Sequence, residues 1–329
     1  MKRIAIVGGG IAGVAAAYEL ARLARDGAAV QVVLFEAATR LGGIVETVRE
    51  GEFIMDCGPD AWVTEKPWAR ELAEELGLGD ELIPSNDATR KTYVLIDHRL
   101  QAMPDGMRMM VPSDLDALDS SELFSAEAKH AYRNEPARAD ELRANAPQAD
   151  ESVAQFVRRH FGDEALEKIG APLLSGVFGG DVAKLSVRAV MAPFVAMEQE
   201  HGSLIAALQA RASSTPASVF TTLRSGMGTL LDRMIAAIPE HWIRLSAEVR
   251  FVSYGDEGWL VGTEKEVERF DAILMAAPVD VARSLLNPVD TRAAELRGWR
   301  RHMSWRGRLA IGPRCKSCCL SLRRGWAGL

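Results

Sequence analysis

The sequence predicts an α/β fold in which a dinucleotide-binding domain is assembled from separated segments around an inserted, mainly helical region. Three observations predict it. A glycine-rich turn, Gly8-Gly9-Gly10-Ile11-Ala12-Gly13, joins the apolar run at 4–7 to a helical stretch, and a second apolar run at 30–35 ends in Glu36. Between 111 and 211 the pattern turns helical, with Val153, Phe156, Val157 and Phe161 on one stripe. From 219 to 277 strand and helix signals alternate again, ending in the apolar run 272–277 that Pro278 stops.

In chain order, the first strand and turn carry the most chemistry. Gly8 permits a tight turn, Gly10 lets the backbone approach a pyrophosphate, and Gly13 lets the helix pack closely on the strand. The helix start offers free N–H groups and the positive end of a dipole to phosphates. Glu36, 23 residues past Gly13, is placed to accept hydrogen bonds from ribose hydroxyls. Just beyond it stands Arg40-Leu41-Gly42-Gly43-Ile44, an extension that a nicotinamide-binding domain does not need. A short apolar run then ends in the turn Gly58-Pro59-Asp60-Ala61. Pro67 opens a helix with Leu72 and Leu76 on one face and Gly77 near its end. The stretches 92–96 and 100–104 read as a hairpin turned by Asp97-His98, with His98 solvated.

The stretch 126–150 has the weakest apolar pattern and reads as a poorly ordered connection, whereas Met191, Phe194 and Met197 read as core. Leu230, Met234 and Ile238 form a helix that Pro239 ends, and strands on either side of Gly255-Asp256-Glu257-Gly258 form a hairpin. The run 272–277 is expected to join the dinucleotide sheet. The expected divisions are 1–88 and 203–297 for the two nucleotide-binding segments, 89–202 for the hairpin and helical insertion, and 298–329 for an atypical tail.

Composition narrows the class. With 329 residues, 48% of them hydrophobic, the chain can bury two cores. Its first residues run straight into a strand without a basic, cleavable leader, and no apolar run approaches the ~20 residues of a spanning helix. A cytoplasmic protein with at most peripheral membrane contact is expected. The net charge of −6 argues against a nucleic-acid surface. From 298 to 329, however, there are eight Arg or Lys and no acid, together with Cys315, Cys318 and Cys319. Cys315 and Cys318 are half of a zinc set, but no histidine follows His302, so no metal is expected. Arg with Trp also suits a lipid interface, but text without acids or periodicity reads best as an out-of-frame or truncated end.

The motifs together resemble a known family. Gly8–Gly13, Glu36, Arg40-Leu41-Gly42-Gly43, Gly58-Pro59-Asp60-Ala61, 90–94, Ser175-Gly176-Val177-Phe178 and 200–204 follow the order and spacing of the protoporphyrinogen and coproporphyrinogen III oxidases, within the FAD-dependent amine oxidase superfamily. The similarity runs from about 2 to 297. It implies a Rossmann-like FAD-binding domain, an inserted substrate domain, and oxidation of a porphyrinogen to the porphyrin by dioxygen in haem biosynthesis, with H2O2 released. It also implies residue roles. Gly8, Gly9, Gly10, Ile11, Ala12 and Gly13 would hold the pyrophosphate, with Arg40 near the phosphates. Glu36 and Ala37 would meet the ribose, and the Val249 backbone the adenine. Gly42, Gly43, Ile44, Gly58, Pro59, Asp60 and Ala61 would approach the flavin. Gly176 would steer the macrocycle, and Arg90 and Lys91 would meet a propionate, beside Thr92 where the family places a basic residue. Family members continue beyond this length to a final glycine-rich segment. A truncated, non-catalytic flavin-binding protein and another amine oxidase or desaturase type of enzyme are the alternatives.

Overall fold

A computed structural model describes residues 1–89, 91–211 and 218–291 of the protein. The described residues fall into two compact units, one made of 1–89 and 218–291 and the other of 91–211.

In the first unit, strand β1 (Lys2–Val7), helix α1 (Ile11–Arg25) and strand β2 (Val30–Phe35) follow in succession. β1 and β2 pair in parallel, Ile4 opposite Val32 and Val7 opposite Phe35. The strand Ala272–Met275 adds to the free side of β1 and the short strand Ile243–Arg244 to that of β2, giving a four-stranded parallel sheet. Such a sheet is covered on both faces, which is why the runs at 4–7 and 30–35 are apolar throughout instead of alternating. On one face Ile6, Val32 and Leu34 pack with Val14 and Ala17 of α1 and with Leu230, Leu231 and Met234 of the helix Gly228–Ala236. On the other, Ala5, Val7, Val33 and Phe35 pack against Val252, Val261 and Phe270 of a three-stranded antiparallel sheet, Phe251–Gly255, Gly258–Gly262 and Val267–Phe270. Strands β3 (Thr47–Glu50) and β4 (Phe53–Asp56) form a hairpin between the loop at 40–44 and the turn at 58–61.

The second unit starts with the hairpin Tyr93–Ile96 and Arg99–Ala102. Asp97 and His98 turn it with φ of 48° and 62°, the left-handed pair that matches the twist of two-residue hairpins, and His98 is exposed. Apart from the short antiparallel pair Met107–Arg108 and Val111–Pro112, its remaining elements are helices. Helix Val153–Ala165 starts with a capping box between Ser152 and Gln155, and Val153, Phe156, Val157 and Phe161 are all buried, as are Met191, Phe194 and Met197.

Two expectations differ from the structure. The stretch 126–150 contains the helices Ala126–Asn134 and Ala139–Ala144, the first capped by Ser125. Its apolar signal is weak because the anchors are one Ala, one Tyr and one Leu, the buried Ala128, Tyr132 and Leu142, together with the fully buried Glu135. The helix Leu204–Arg211 belongs to the helical core through Leu204, Ile205, Ala207 and Leu208, so that unit extends past 202. The expectations for 298–329 fall outside the described residues, as does Arg90. Among the described residues, no helix is long and apolar enough to cross a membrane.

Candidate functional site

The glycine turn between β1 and α1 is built by steric necessity. Gly8 has φ of 108°, and a Cβ there would lie 2.7 Å from the backbone of Ala276; a Cβ on Gly13 would run into the Gly8 carbonyl oxygen. Around Gly10 the situation is reversed, since a Cβ would meet nothing within 4 Å. Gly10 is the N-cap of α1 and has no side chain to satisfy the first amides, and no acid stands in the first turn. Ile11 and Ala12 are exposed. The start of α1 therefore presents uncapped N–H groups and a positive dipole end where backbone alone is in the way, which suits a bound pyrophosphate.

The second glycine motif is seated directly on the first. The Gly42 N–H donates to the Gly9 carbonyl at 2.7 Å, Gly10 and Gly42 form a parallel bridge, and a Cβ on Gly43 would lie 3.1 Å from the Gly10 Cα. Arg40 braces this loop: its guanidinium donates to the carbonyls of Leu41 at 3.1 Å and Gly43 at 2.8 Å and to the Glu46 carboxylate at 3.0 Å. The arginine is thus engaged within its own loop. Ile44 follows with 73% of its surface exposed. The Gly58 turn lies against it, so closely that a Cβ on Gly58 would overlap the Ile44 carbonyl oxygen, and the Cys57 N–H donates to the Glu46 carbonyl at 2.8 Å. Pro59 and Asp60 are exposed, Ala61 half-buried, and the Asp60 carbonyl accepts from the Thr222 hydroxyl at 2.6 Å.

Glu36, at the end of β2, accepts the Gly9 N–H on one oxygen and the Ala38 N–H on the other, both at 2.7 Å, which fixes its carboxylate beside the glycine turn with lone pairs to spare. Ala37 is exposed beside it. The Glu36 carbonyl accepts from Ala247, and the Ala38 carbonyl from Ser246, each at 2.9 Å, which brings the segment carrying Val249 alongside. The Val249 side chain is buried in the core with Phe35, and among the described residues its N–H has no hydrogen-bond partner. An uncapped helix start, a fixed acid and a free backbone amide beside one another fit the phosphate, ribose and base of a dinucleotide.

The helical unit carries the remaining sequence-derived residues. Lys91 is exposed. Gly176, also exposed, lies in the helix Ala171–Phe178, where a Cβ would meet nothing within 4 Å.

Sequence pattern did not single out the ionic cluster inside this unit. His160 donates towards Glu135 from Nδ1 at 2.9 Å and towards Glu198 from Nε2 at 3.2 Å, and all three are buried. Arg159 pairs with Glu198 and Glu151. Burial alone would lower the imidazole pKa, but the two carboxylates outweigh it and the pKa is raised. Burial would likewise raise Glu198, but His160 and Arg159 hold it below the usual carboxylate range. Thr47 and Asp56, which touch the start of the helix Gly228–Ala236, were equally without a motif; the one signal was the Gly226-Met227-Gly228 triplet. Among the described residues no group of three or more His, Cys, Asp or Glu is arranged to hold a metal.

Residues 11–302 match the model of the family described as flavin containing amine oxidoreductase. The chain is 30% identical to the coproporphyrinogen III oxidase of Bacillus subtilis (strain 168), over 87% of this chain and 62% of that protein. It is 26% identical to protoporphyrinogen oxidase 2, chloroplastic/mitochondrial, of Arabidopsis thaliana, over 84% of this chain and 58% of the relative. Among solved structures, a candidate protoporphyrinogen oxidase from Exiguobacterium sp. 255-15 superposes with a TM-score of 0.75 at 32% identity, over 90% of this chain and 63% of that one. The chain thus spans less than two thirds of the length of these relatives.

Proposed function

The chain belongs to the flavin-containing amine oxidoreductase family, whose cofactor is FAD, and from that premise we propose that it oxidises a porphyrinogen to the porphyrin with dioxygen as acceptor. The observation that carries the reading is the seating of the Arg40-Leu41-Gly42-Gly43 loop on the glycine turn, which extends a dinucleotide cradle towards a flavin ring. The names of the relatives supply the substrate class, and the coproporphyrinogen III oxidase at 30% identity weighs towards the substrate with four carboxylates.

In this reading the Rossmann-like unit positions the cofactor. The amides from Gly10 to Gly13 bind the pyrophosphate, Glu36 and Ala37 the ribose, and the Val249 backbone the adenine. Ile44 and the turn Gly58-Pro59-Asp60-Ala61 line the flavin and keep water from it. Bound flavin supplies the acceptor for a hydride, which no ordinary side chain can be, and returns the electron pair to dioxygen as H2O2. Three two-electron steps remove three hydrides from meso carbons and three protons, two from pyrrole nitrogens and one from the remaining meso carbon, so that porphyrinogen becomes porphyrin and three dioxygen molecules are consumed. Solvent or the substrate itself takes the protons, and position and dryness are the protein's contribution. Gly176 steers the macrocycle, and Lys91, with Arg90, attracts a propionate.

The test is aerobic addition of coproporphyrinogen III or protoporphyrinogen IX to the FAD-loaded protein while porphyrin fluorescence is recorded. Porphyrin formation above an enzyme-free control, with matching H2O2, supports the reading, and the faster substrate names the branch. A flavin spectrum without turnover supports a second reading, a flavin-binding chain without catalysis.

A further inference from the structure

The two flavin-facing segments, 43–44 and 58–61, leave the hairpin β3–β4 at the same end. Thr47 and Asp56 face one another there as a directly paired couple in the ladder. The Thr47 hydroxyl donates to the Asp56 carboxylate and accepts the Gly228 N–H at 2.7 Å; Asp56 accepts the Met227 N–H at 3.0 Å. Met227 and Gly228 open the helix Gly228–Ala236, so a carboxylate and a hydroxyl satisfy amides that this helix start would otherwise leave bare, and the carboxylate also meets the positive dipole end.

The junction is tight. Gly226 has φ of 89°, and a Cβ there would overlap the Thr47 side chain; a Cβ on Gly228 would lie 2.8 Å from the Thr47 hydroxyl. One turn further on, Leu231 of the same helix packs against Gly42, where a Cβ would strike it. The helix therefore supports the flavin-facing loops at two places, through Leu231 under Gly42 and through Thr47 and Asp56 at the hairpin end. Asp56 is two residues from Gly58, and Thr47 is three from Ile44.

We infer that Thr47 and Asp56 are positioning residues for the flavin ring, holding the Ile44 and Gly58 segments in register through the start of the helix Gly228–Ala236. The inference rests on the FAD reading above and adds to it a separation of duties. Among the described residues no hydrogen bond joins this couple to the groups assigned to the adenine, ribose and pyrophosphate, Gly8–Gly13, Glu36 and Val249, so loosening it should disturb the ring and leave the ADP half intact.

ADP and FAD binding to apoprotein test this, with ADP measured by calorimetry and FAD by quenching of flavin fluorescence. Asp56→Asn and Thr47→Val are each expected to weaken FAD by about tenfold, the scale of one lost charge-assisted hydrogen bond, while ADP affinity stays within twofold of wild type. Thr47→Ser, which keeps the hydroxyl, should restore FAD binding. The visible spectrum of bound FAD should lose its vibronic shoulder in the two defective variants as the ring becomes wetter. FAD affinity unchanged in both variants overturns the inference. So does a parallel loss of ADP and FAD, which would mean a merely structural role. Wild-type protein that binds ADP but no FAD overturns the flavin reading itself, and is distinguished because the defect is then present before any substitution.

Discussion

Replacing His160 by Ala should destabilise the helical unit strongly and remove its sensitivity to alkaline pH. The imidazole lies between two carboxylates, 2.9 Å from Glu135 and 3.2 Å from Glu198, with none of its side-chain surface exposed. Only an imidazolium donates from both nitrogens, so this geometry calls for the charged ring. The other groups facing it are Arg159, bound to Glu198 and Glu151, and the rings of Phe156 at 4.7 Å and Phe161 at 5.6 Å. Without His160 the cluster is left with three carboxylates and one guanidinium. Two charge-assisted bonds are lost, each ~1.5–3 kcal/mol, and breaking a buried pair from one side costs about 3–5 kcal/mol. At about 4 °C per kcal/mol for a unit of this size, the melting temperature should fall by roughly 12–20 °C. Because the folded protein holds the imidazole proton more tightly than the unfolded chain, this stabilisation is complete below about pH 6.5 and is lost as pH rises through the raised pKa. Glu198, held low, adds stability above about pH 4.3 that is lost as pH falls through its folded value. Wild-type stability from these two groups should therefore be greatest between about pH 4.5 and 6.5. Far-UV circular dichroism follows the melting of this mainly helical unit. A His160→Ala melt within about 3 °C of wild type at pH 6, or an unchanged alkaline slope, would refute the reasoning.

Three further outcomes are expected. Gly58→Ala should push against the Ile44 carbonyl, costing about 1–3 kcal/mol of stability and releasing FAD on gel filtration that wild type retains. Gly176→Val has open space for its side chain and should leave the melting temperature within about 2 °C of wild type, yet raise the KM for the porphyrinogen at least tenfold if the macrocycle passes that surface. Lys91→Ala should raise the KM roughly tenfold with kcat unchanged, and the effect should shrink at high salt because the ammonium is exposed; steady-state kinetics at two ionic strengths checks both.

The legible parts of the site were those whose chemistry is local. Gly8, Gly10, Gly13 and Glu36 announce themselves because a turn, a helix start and a strand end must follow at short spacing, and the loop at 40–44 was visible as an unexplained extension. The Thr47 and Asp56 couple was not, because its partners, Met227 and Gly228, stand 171 and 181 residues away. Threonine and aspartate in a short hairpin read as surface residues unless the opposing helix is known. Arg40 illustrates a subtler difference: its position was legible, but its partners are the carbonyls of its own loop, and that depends on backbone direction, which residue type does not encode.

The stretch 126–150 failed as a sequence reading for a reason that also explains the cluster. Its main anchor is Glu135, a residue counted as polar and solvated in any periodicity, yet 0% exposed. Glu135 follows the helix Ala126–Asn134 and accepts the Leu204 N–H at 2.8 Å, and also bonds the Ser203 hydroxyl, so one carboxylate caps the start of the helix Leu204–Arg211 while holding His160. A leucine in its place could fill the volume at lower desolvation cost, but it would leave those amides bare and would not tell the helix where to begin. Buried charge here specifies a register more than it adds stability, and it makes that register conditional on one proton. Apolar patterning records only area removed from water, so a core ordered by a capped helix start and an imidazolium leaves almost no periodic trace.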